Sequence, residues 1–351
     1  MKRILSIEGG GIRGILELEL LLKIENLIQE KFGEPLHKHF DLIAGTSTGA
    51  IIATLISWGY SIPQIQDFYM QNAQSIFRRA PIRKLHRHKY SADELGNTLR
   101  DYLVEDNGEL ATLGTSKLHT LLLIIIRNAT TGSTWPVCNN PKAKYNNREL
   151  SDCNLDLILC ELVRASTAAP TYFEPEPLML GKEEFQFIDG GISPHNNPSI
   201  AAFLHATLPE YRIGFPIGPD ELYLLSVGTG MCNKPISPEA IANQNILAHT
   251  KMAVNLLMNS VTTHEDVLCR VLGKCLFGDP IDSEIGDLCG DGPLEKQFSY
   301  TRYNPIFTPD EIRPSGKKPN LLEMDNMEAI PFLIESGKSY AEKSIREEHL
   351  I

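Results

Sequence analysis

Residues 40–59, FDLIAGTSTGAIIATLISWG, form an apolar run that changes period at a serine held between two glycines. Before that joint, Phe40 to Ala44 reads as a buried strand. After it, Ala50 to Trp58 reads as a helix closed by Gly59. The chain opens the same way. RILSIE, residues 3–8, runs into GGGIRG and then into a segment where Leu20, Leu21, Ile24, Leu27 and Ile28 recur at helical spacing. Two strand–turn–helix units within the first sixty residues confine the chain to the α/β class. They predict a three-layer α/β/α domain around a mostly parallel sheet.

Further strands are expected at 119–129, 185–189 and 221–230, and a helix over 155–167 that stops before Pro170. After Gly230 the texture changes. Long helical patterns occupy 240–272 and 320–347, separated by a Gly/Asp/Pro-rich stretch at 278–294 and a strand, FSYTRYNPI. The expected organisation is a catalytic domain at 1–230 and a helical carboxy-terminal region at 231–351 packed on it, whose apolar helix faces either form a homodimer surface or cover the core.

The longest apolar run, LLLIII at 121–126, falls far short of the ~20 residues a membrane-spanning helix needs. The amino terminus lacks the apolar core and cleavage site of a signal peptide. Seven cysteines without a C-x-x-C pair argue against a disulfide framework and a structural zinc site, so a reduced, cytoplasmic setting is expected. The net charge of −11 disfavours general nucleic-acid binding. One stretch runs against it: RRAPIRKLHRHK, 78–89, holds six Lys/Arg and no acid, and the rest of the chain carries 27 basic residues against 44 acidic ones. That stretch is either a solvated surface or a patch for phosphate-bearing molecules, lipid headgroups or a nucleotide.

GGGIRG, Gly9 to Gly14, satisfies the G-x-G-x-x-G spacing of a dinucleotide site, so an NAD-binding or nucleotide-sensing module without hydrolase activity is the alternative reading. That fingerprint expects an acid at the end of the second strand, where this chain has Thr46 and Ser47. The same glycines serve another chemistry. Backbone N–H groups at a helix start lack internal partners, and glycine leaves them bare enough to hold an oxyanion. Gly9, Gly10, Gly11 and Gly14 are the candidates, with Arg13 bracing the turn or adding positive potential.

Gly45-Thr46-Ser47-Thr48-Gly49 fits G-x-S-x-G, a turn that lifts a serine hydroxyl to the sheet's edge while the glycines clear space around it. A helix N-cap is the ordinary use of such a serine. As a nucleophile Ser47 needs a base. His195, His205, His249 and His264 are available, His195 being the best placed of them. Asp189 ends a strand in FQFIDGGISPHNNP, where Gly190 and Gly191 permit a tight fold. Asp-Gly also marks ordinary turns.

The series GGGIRG, GTSTG and DGG, supported by ASTAAPTYF (165–173) and SVGTG (226–230), resembles the patatin-like phospholipases over residues 4–230. The resemblance implies a lipid acyl hydrolase that uses neither metal nor cofactor. It makes Ser47 the nucleophile and Asp189 the base, with Gly10 and Gly11 leading the oxyanion hole. Glu8 departs from the Asp or Asn more usual before the glycines. Length and the extension after 230 are similar to bacterial members of the CapV type, antiviral effectors whose phospholipase activity a cyclic nucleotide releases. Membrane phospholipid as substrate, peripheral contact with the inner membrane face and a cyclic-nucleotide activator follow from that resemblance.

Overall fold

The alternation of β1 (Lys2–Ile7) sets the layering. Leu5 and Ile7 enter one core with Ile43, Leu122, Ile124 and Leu225, whereas Ile4 enters a second with Leu42, Ala44, Leu123 and Leu224. A strand with two apolar faces has to be covered on both, and this one is. The computed structural model describes residues 1–76, 90, 92–232, 239, 242, 245–290, 292–313 and 320–351. The basic stretch 78–89 lies outside the described residues.

β1 is central, parallel to β2 (Leu42–Thr46) on one side and to β7 (Leu222–Val227) on the other. Beyond β7 come β9 (Phe298–Tyr303) and the edge strand β8 (Gly273–Phe277), both parallel. Beyond β2 comes β3 (Leu121–Asn128), also parallel. The antiparallel members are β4 (Thr134–Cys138), β5 (Glu176–Leu180) and β6 (Glu183–Asp189). The sheet is thus mostly parallel, as expected, and the residues after 230 contribute two strands to it as well as helices.

Register reveals how β2 and β6 are placed. Ile125 lies opposite both Thr46 and Pro136, and Ile126 opposite both Asp189 and Trp135. A strand has two edges, so with β4 on one, β2 and β6 share the other. They approach along it from opposite directions and stop on consecutive rungs.

One face of the sheet is covered by α1 (Gly14–Phe32), α3 (Thr48–Trp58), α4 (Ile62–Ile76), α5 (Ala92–Tyr102) and α6 (Leu159–Ser166), whose apolar residues join the larger core. Between α1 and β2 sits the single turn α2 (Leu36–His39). α3 is buried from Thr48 through Ser57, which suits a helix apolar all round and enclosed by others. The opposite face carries α7 (Ser199–Thr207) and α8 (Ile246–Leu272). After the short α9 (Pro309–Ile312), α10 (Ile330–Ser344) returns to the first face and lies across α1. At that crossing a side chain on Gly337 would stand 2.8 Å from Glu19 Cβ, so glycine sets how close the two helices come.

Candidate active site

β2 cannot continue past Thr46, because the next rung on β3 is occupied by Asp189. The chain turns sharply at Ser47, with φ 54° and ψ −122°, a conformation sparsely populated by residues with a side chain. The turn stays tight because α3 comes back against the strands that feed it. A Cβ on Gly45 would lie 2.2 Å from the Gly49 carbonyl oxygen, and one on Gly49 2.3 Å from that of Ile7. Ser47 N donates to Ser166 Oγ at 2.9 Å, and Ser166 Oγ donates to the Ile125 carbonyl at 2.7 Å, at the rung where β2 ends. The Ser47 hydroxyl makes no capping bond to α3. It donates instead to Asp189 Oδ2 at 2.6 Å.

Asp189 is only 5 % exposed. Its backbone N–H bonds the Ala168 carbonyl at 3.0 Å, and its Oδ1 accepts the Gly191 N–H at 2.7 Å. Burial pushes its carboxyl up to about 6, against the opposing pull of the Ser47 and Gly191 hydrogen bonds and of the Arg164 charge. A carboxylate near 6 is ionised at neutral pH yet basic enough to hold a hydroxyl proton.

His195 and His205 are engaged elsewhere. His195 Nδ1 lies 3.0 Å from Glu265 Oε1, while its carbonyl accepts the Thr46 hydroxyl at 2.6 Å. His205 stacks on Tyr211, and burial lowers it to about 4. His249 and His264 lie on exposed positions of α8. The partner of Ser47 is therefore Asp189, not a histidine.

Beside Ser47, the glycine turn divides its donors. Gly9 N–H bonds the Asn196 carbonyl at 3.1 Å, Ile12 N–H that of Met324 at 2.9 Å, Arg13 N–H that of Gly10 at 3.3 Å, and Gly14 N–H turns back on Gly11. The N–H groups of Gly10 and Gly11 have no acceptor among the described residues. The candidate set from Gly9 to Gly14 thus narrows to two amides, and Gly9, Arg13 and Gly14 frame them. Arg13 does brace the turn: its Nε donates to the Gly10 carbonyl at 3.2 Å and its Nη1 to that of Gly230 at 2.9 Å. Gly11, at φ 61°, has the Met324 carbonyl 2.4 Å from where a Cβ would stand.

Below the turn, Glu8 is bound to Arg302 Nη2 at 2.5 Å, and Arg302 Nη1 donates to Ser226 Oγ at 2.8 Å. The acid nearest the glycines is held by a buried guanidinium. The carboxyl end of β2 carries only hydroxyls, so nothing there meets the ribose requirement of a dinucleotide site.

A pocket walled mostly by apolar side chains opens at the dyad. Ser47 and Asp189 meet Ile12, Ile51, Leu95, Phe173 and Met324 in its wall, and Tyr69 closes part of it with its hydroxyl 2.5 Å from Thr48 Oγ1. A polar pair at one end of an apolar chamber suits an acyl ester whose chain lies along the wall. Ser166, Asn196, Tyr69 and Met324 were not singled out in the sequence. Ser166 lies within ASTAAPTYF, which marked the stretch without revealing the residue's contact.

The family model for patatin-like phospholipase matches residues 5–203, more than half of the chain. A cGAMP-activated phospholipase of Vibrio cholerae serotype O1 is 29% identical over 283 residues, covering 76% of this chain and 75% of that one. A cUMP-AMP-activated phospholipase of Escherichia coli is 26% identical over 288 residues, 81% of each. Patatin-like protein 1 of Arabidopsis thaliana is 29% identical over 254 residues, 65% of this chain and 58% of that one. With its motifs in order, its serine and acid in contact and this match across most of the sheet, the chain belongs to the patatin-like phospholipase family, the lipid acyl hydrolases.

Proposed function

We propose that Ser47 and Asp189 act as a two-residue dyad that hydrolyses acyl ester bonds of membrane phospholipids through an acyl-enzyme. Asp189 takes the Ser47 proton as Oγ attacks the ester carbonyl, and the free N–H groups of Gly10 and Gly11 receive the developing oxyanion. The protonated Asp189 then hands its proton to the leaving alcohol. A water molecule repeats the sequence on the acyl-enzyme, with Asp189 again the proton acceptor and Ser47 the leaving group. The observation that carries this reading is the 2.6 Å bond from Ser47 Oγ to Asp189 Oδ2 beside two unpartnered amides. A fluorophosphonate probe should label the protein on the peptide containing Ser47. Labelling elsewhere, or full labelling of Ser47→Ala, would remove the proposal.

A cyclic nucleotide is proposed as the activator. Support comes from the two bacterial relatives, whose names carry that activation and whose lengths this chain spans by three quarters or more. Among the described residues no helix is long and apolar enough to cross a membrane, so contact with the bilayer is proposed to be peripheral. Hydrolysis of anionic phospholipid vesicles, measured with and without a series of cyclic dinucleotides, tests both. Rates indifferent to every nucleotide and to vesicle charge would count against this regulation while leaving the dyad untouched.

A further inference from the structure

The segment 278–290 that follows β8 is fastened by a buried arginine. Arg270, 2 % exposed near the end of α8, donates from Nη1 to the carbonyls of Asp279 at 2.9 Å and Asp287 at 2.7 Å. Asp266 grips the rest of its guanidinium at 2.9 and 2.7 Å. The Tyr340 hydroxyl of α10 donates to Asp279 Oδ2, and Asp287 Oδ1 accepts the backbone N–H of Cys289 at 3.0 Å. These clamps fix the segment against the sheet edge. They also bring the free thiol of Cys289 to 2.8 Å from that of Cys275 on β8, sulfur to sulfur. Cys275 is buried, while Cys289 is half-buried.

We propose that Cys275 and Cys289 form a reversible disulfide site, closed by thiol–disulfide exchange with a small disulfide such as oxidised glutathione. The chemistry has two displacements. The Cys289 thiol loses its proton and its sulfur attacks one sulfur of the small disulfide, releasing one glutathione thiol and leaving a mixed disulfide on Cys289. Cys275 then loses its proton and attacks Cys289 Sγ, releasing the second glutathione thiol. Two protein thiols are oxidised and one small disulfide is reduced to two thiols, so atoms and electrons balance. Cys289 is the entry point because it is the more accessible, and the hydrogen bond from Cys275 holds its thiol below the usual thiol range.

The fastened segment makes the second step fast, because the two sulfurs are already neighbours and little freedom remains to be lost. The new bond ties β8 to the segment's far end. In doing so it fixes Asp279 and Ile281, which line a small pocket together with Thr262, Asp266 and Arg302.

The test equilibrates the full chain with oxidised glutathione, alkylates it under denaturing conditions and weighs it intact. Two of the seven thiols should become unreactive, with one crosslink joining the peptides of Cys275 and Cys289 and reduction restoring all seven. Cys275→Ser should stop at a glutathione adduct on Cys289, and Cys289→Ser should leave Cys275 fully alkylated. Seven reactive thiols in the treated wild type, a lasting glutathione adduct on it, or a crosslink to another cysteine would each overturn the site. Cleavage within 278–290 by a broad-specificity protease should slow several-fold on oxidation. Equal rates in the two states would overturn the fastening.

Discussion

Thr46 and Asp189 stand one rung apart on the same edge of β3, Thr46 opposite Ile125 and Asp189 opposite Ile126, on strands that run toward each other. The collision forces Ser47 out of the ladder and leaves its hydroxyl against the acid that displaced it. Asp189→Asn preserves the rung and an acceptor for the Gly191 N–H but removes the base. Turnover on an ester substrate should drop by roughly 10²–10⁴-fold with the circular dichroism spectrum unchanged. Wild-type turnover in this variant would require another base for Ser47.

The pH dependence follows from the buried carboxyl. Below about 6 Asp189 is protonated and cannot accept from Ser47, so kcat/KM should fall with falling pH through that value and level off above it. Stability runs the other way. A carboxyl raised in the folded protein contributes stability that is present below its ordinary 3.8 and lost as pH rises through about 6, amounting to about 3 kcal/mol. Urea denaturation of wild type and Asp189→Asn should therefore give similar values near pH 4. By pH 8 the variant should be the more stable.

Ser166 supports the elbow from below by accepting from Ser47 N and donating to Ile125 O. Ser166→Ala leaves both of those groups without their partner. A loss of about 1–3 kcal/mol in denaturation is expected. Fluorophosphonate labelling of Ser47 should slow by more than that loss of stability explains, since the hydroxyl no longer holds its aim.

Glycine positions around the elbow should differ in their tolerance of alanine. At Gly45 and Gly49 a methyl group meets backbone carbonyls at 2.2 and 2.3 Å, which cannot move without shifting α3 against β1 and β2. These variants should lose at least about 3 kcal/mol or fail to fold. At Gly14 the nearest atom is the Thr48 hydroxyl at 2.5 Å, a side-chain group bound to Tyr69 and not a backbone carbonyl. Gly14→Ala should cost about 1–2 kcal/mol and stay folded, as measured by thermal melting.

Arg302 is buried between Glu8 and Ser226. Arg302→Met removes the only ion-pair partner of Glu8 among the described residues and leaves a carboxylate under the glycine turn. A destabilisation of about 3–5 kcal/mol is expected in chemical denaturation, with labelling of Ser47 reduced in the fraction that remains folded.

Much of this arrangement is readable from the chain. β1, β2, β3, β6, β7 and β9 stand out as apolar or aromatic runs, and Ser47 and Asp189 are flagged by the glycines that crowd them. What escapes notice does so for physical reasons. TWPVC of β4 and EPLML of β5 are short and carry a proline, and GKCLF of β8 begins on a glycine, all traits of edge segments that need pair few backbone groups. The reversed direction of β6 comes from its hairpin with β5, whose two-residue connection Gly181-Lys182 resembles any other turn in the sequence. Ser166, Asn196 and Met324 reach the site through tertiary paths, and no local pattern distinguishes such residues from their neighbours.

The head-on meeting of β2 and β6 has a bearing on synthesis. Ser47 and Asp189, the proposed nucleophile and base, are 142 residues apart, and β7, the second neighbour of the central strand, follows later still. A ribosome must deliver more than half of the polypeptide before the serine gains a proton acceptor. By the mechanism proposed above, the growing chain stays inert toward lipid until then, and the cell making it is spared a hydrolase at work during translation.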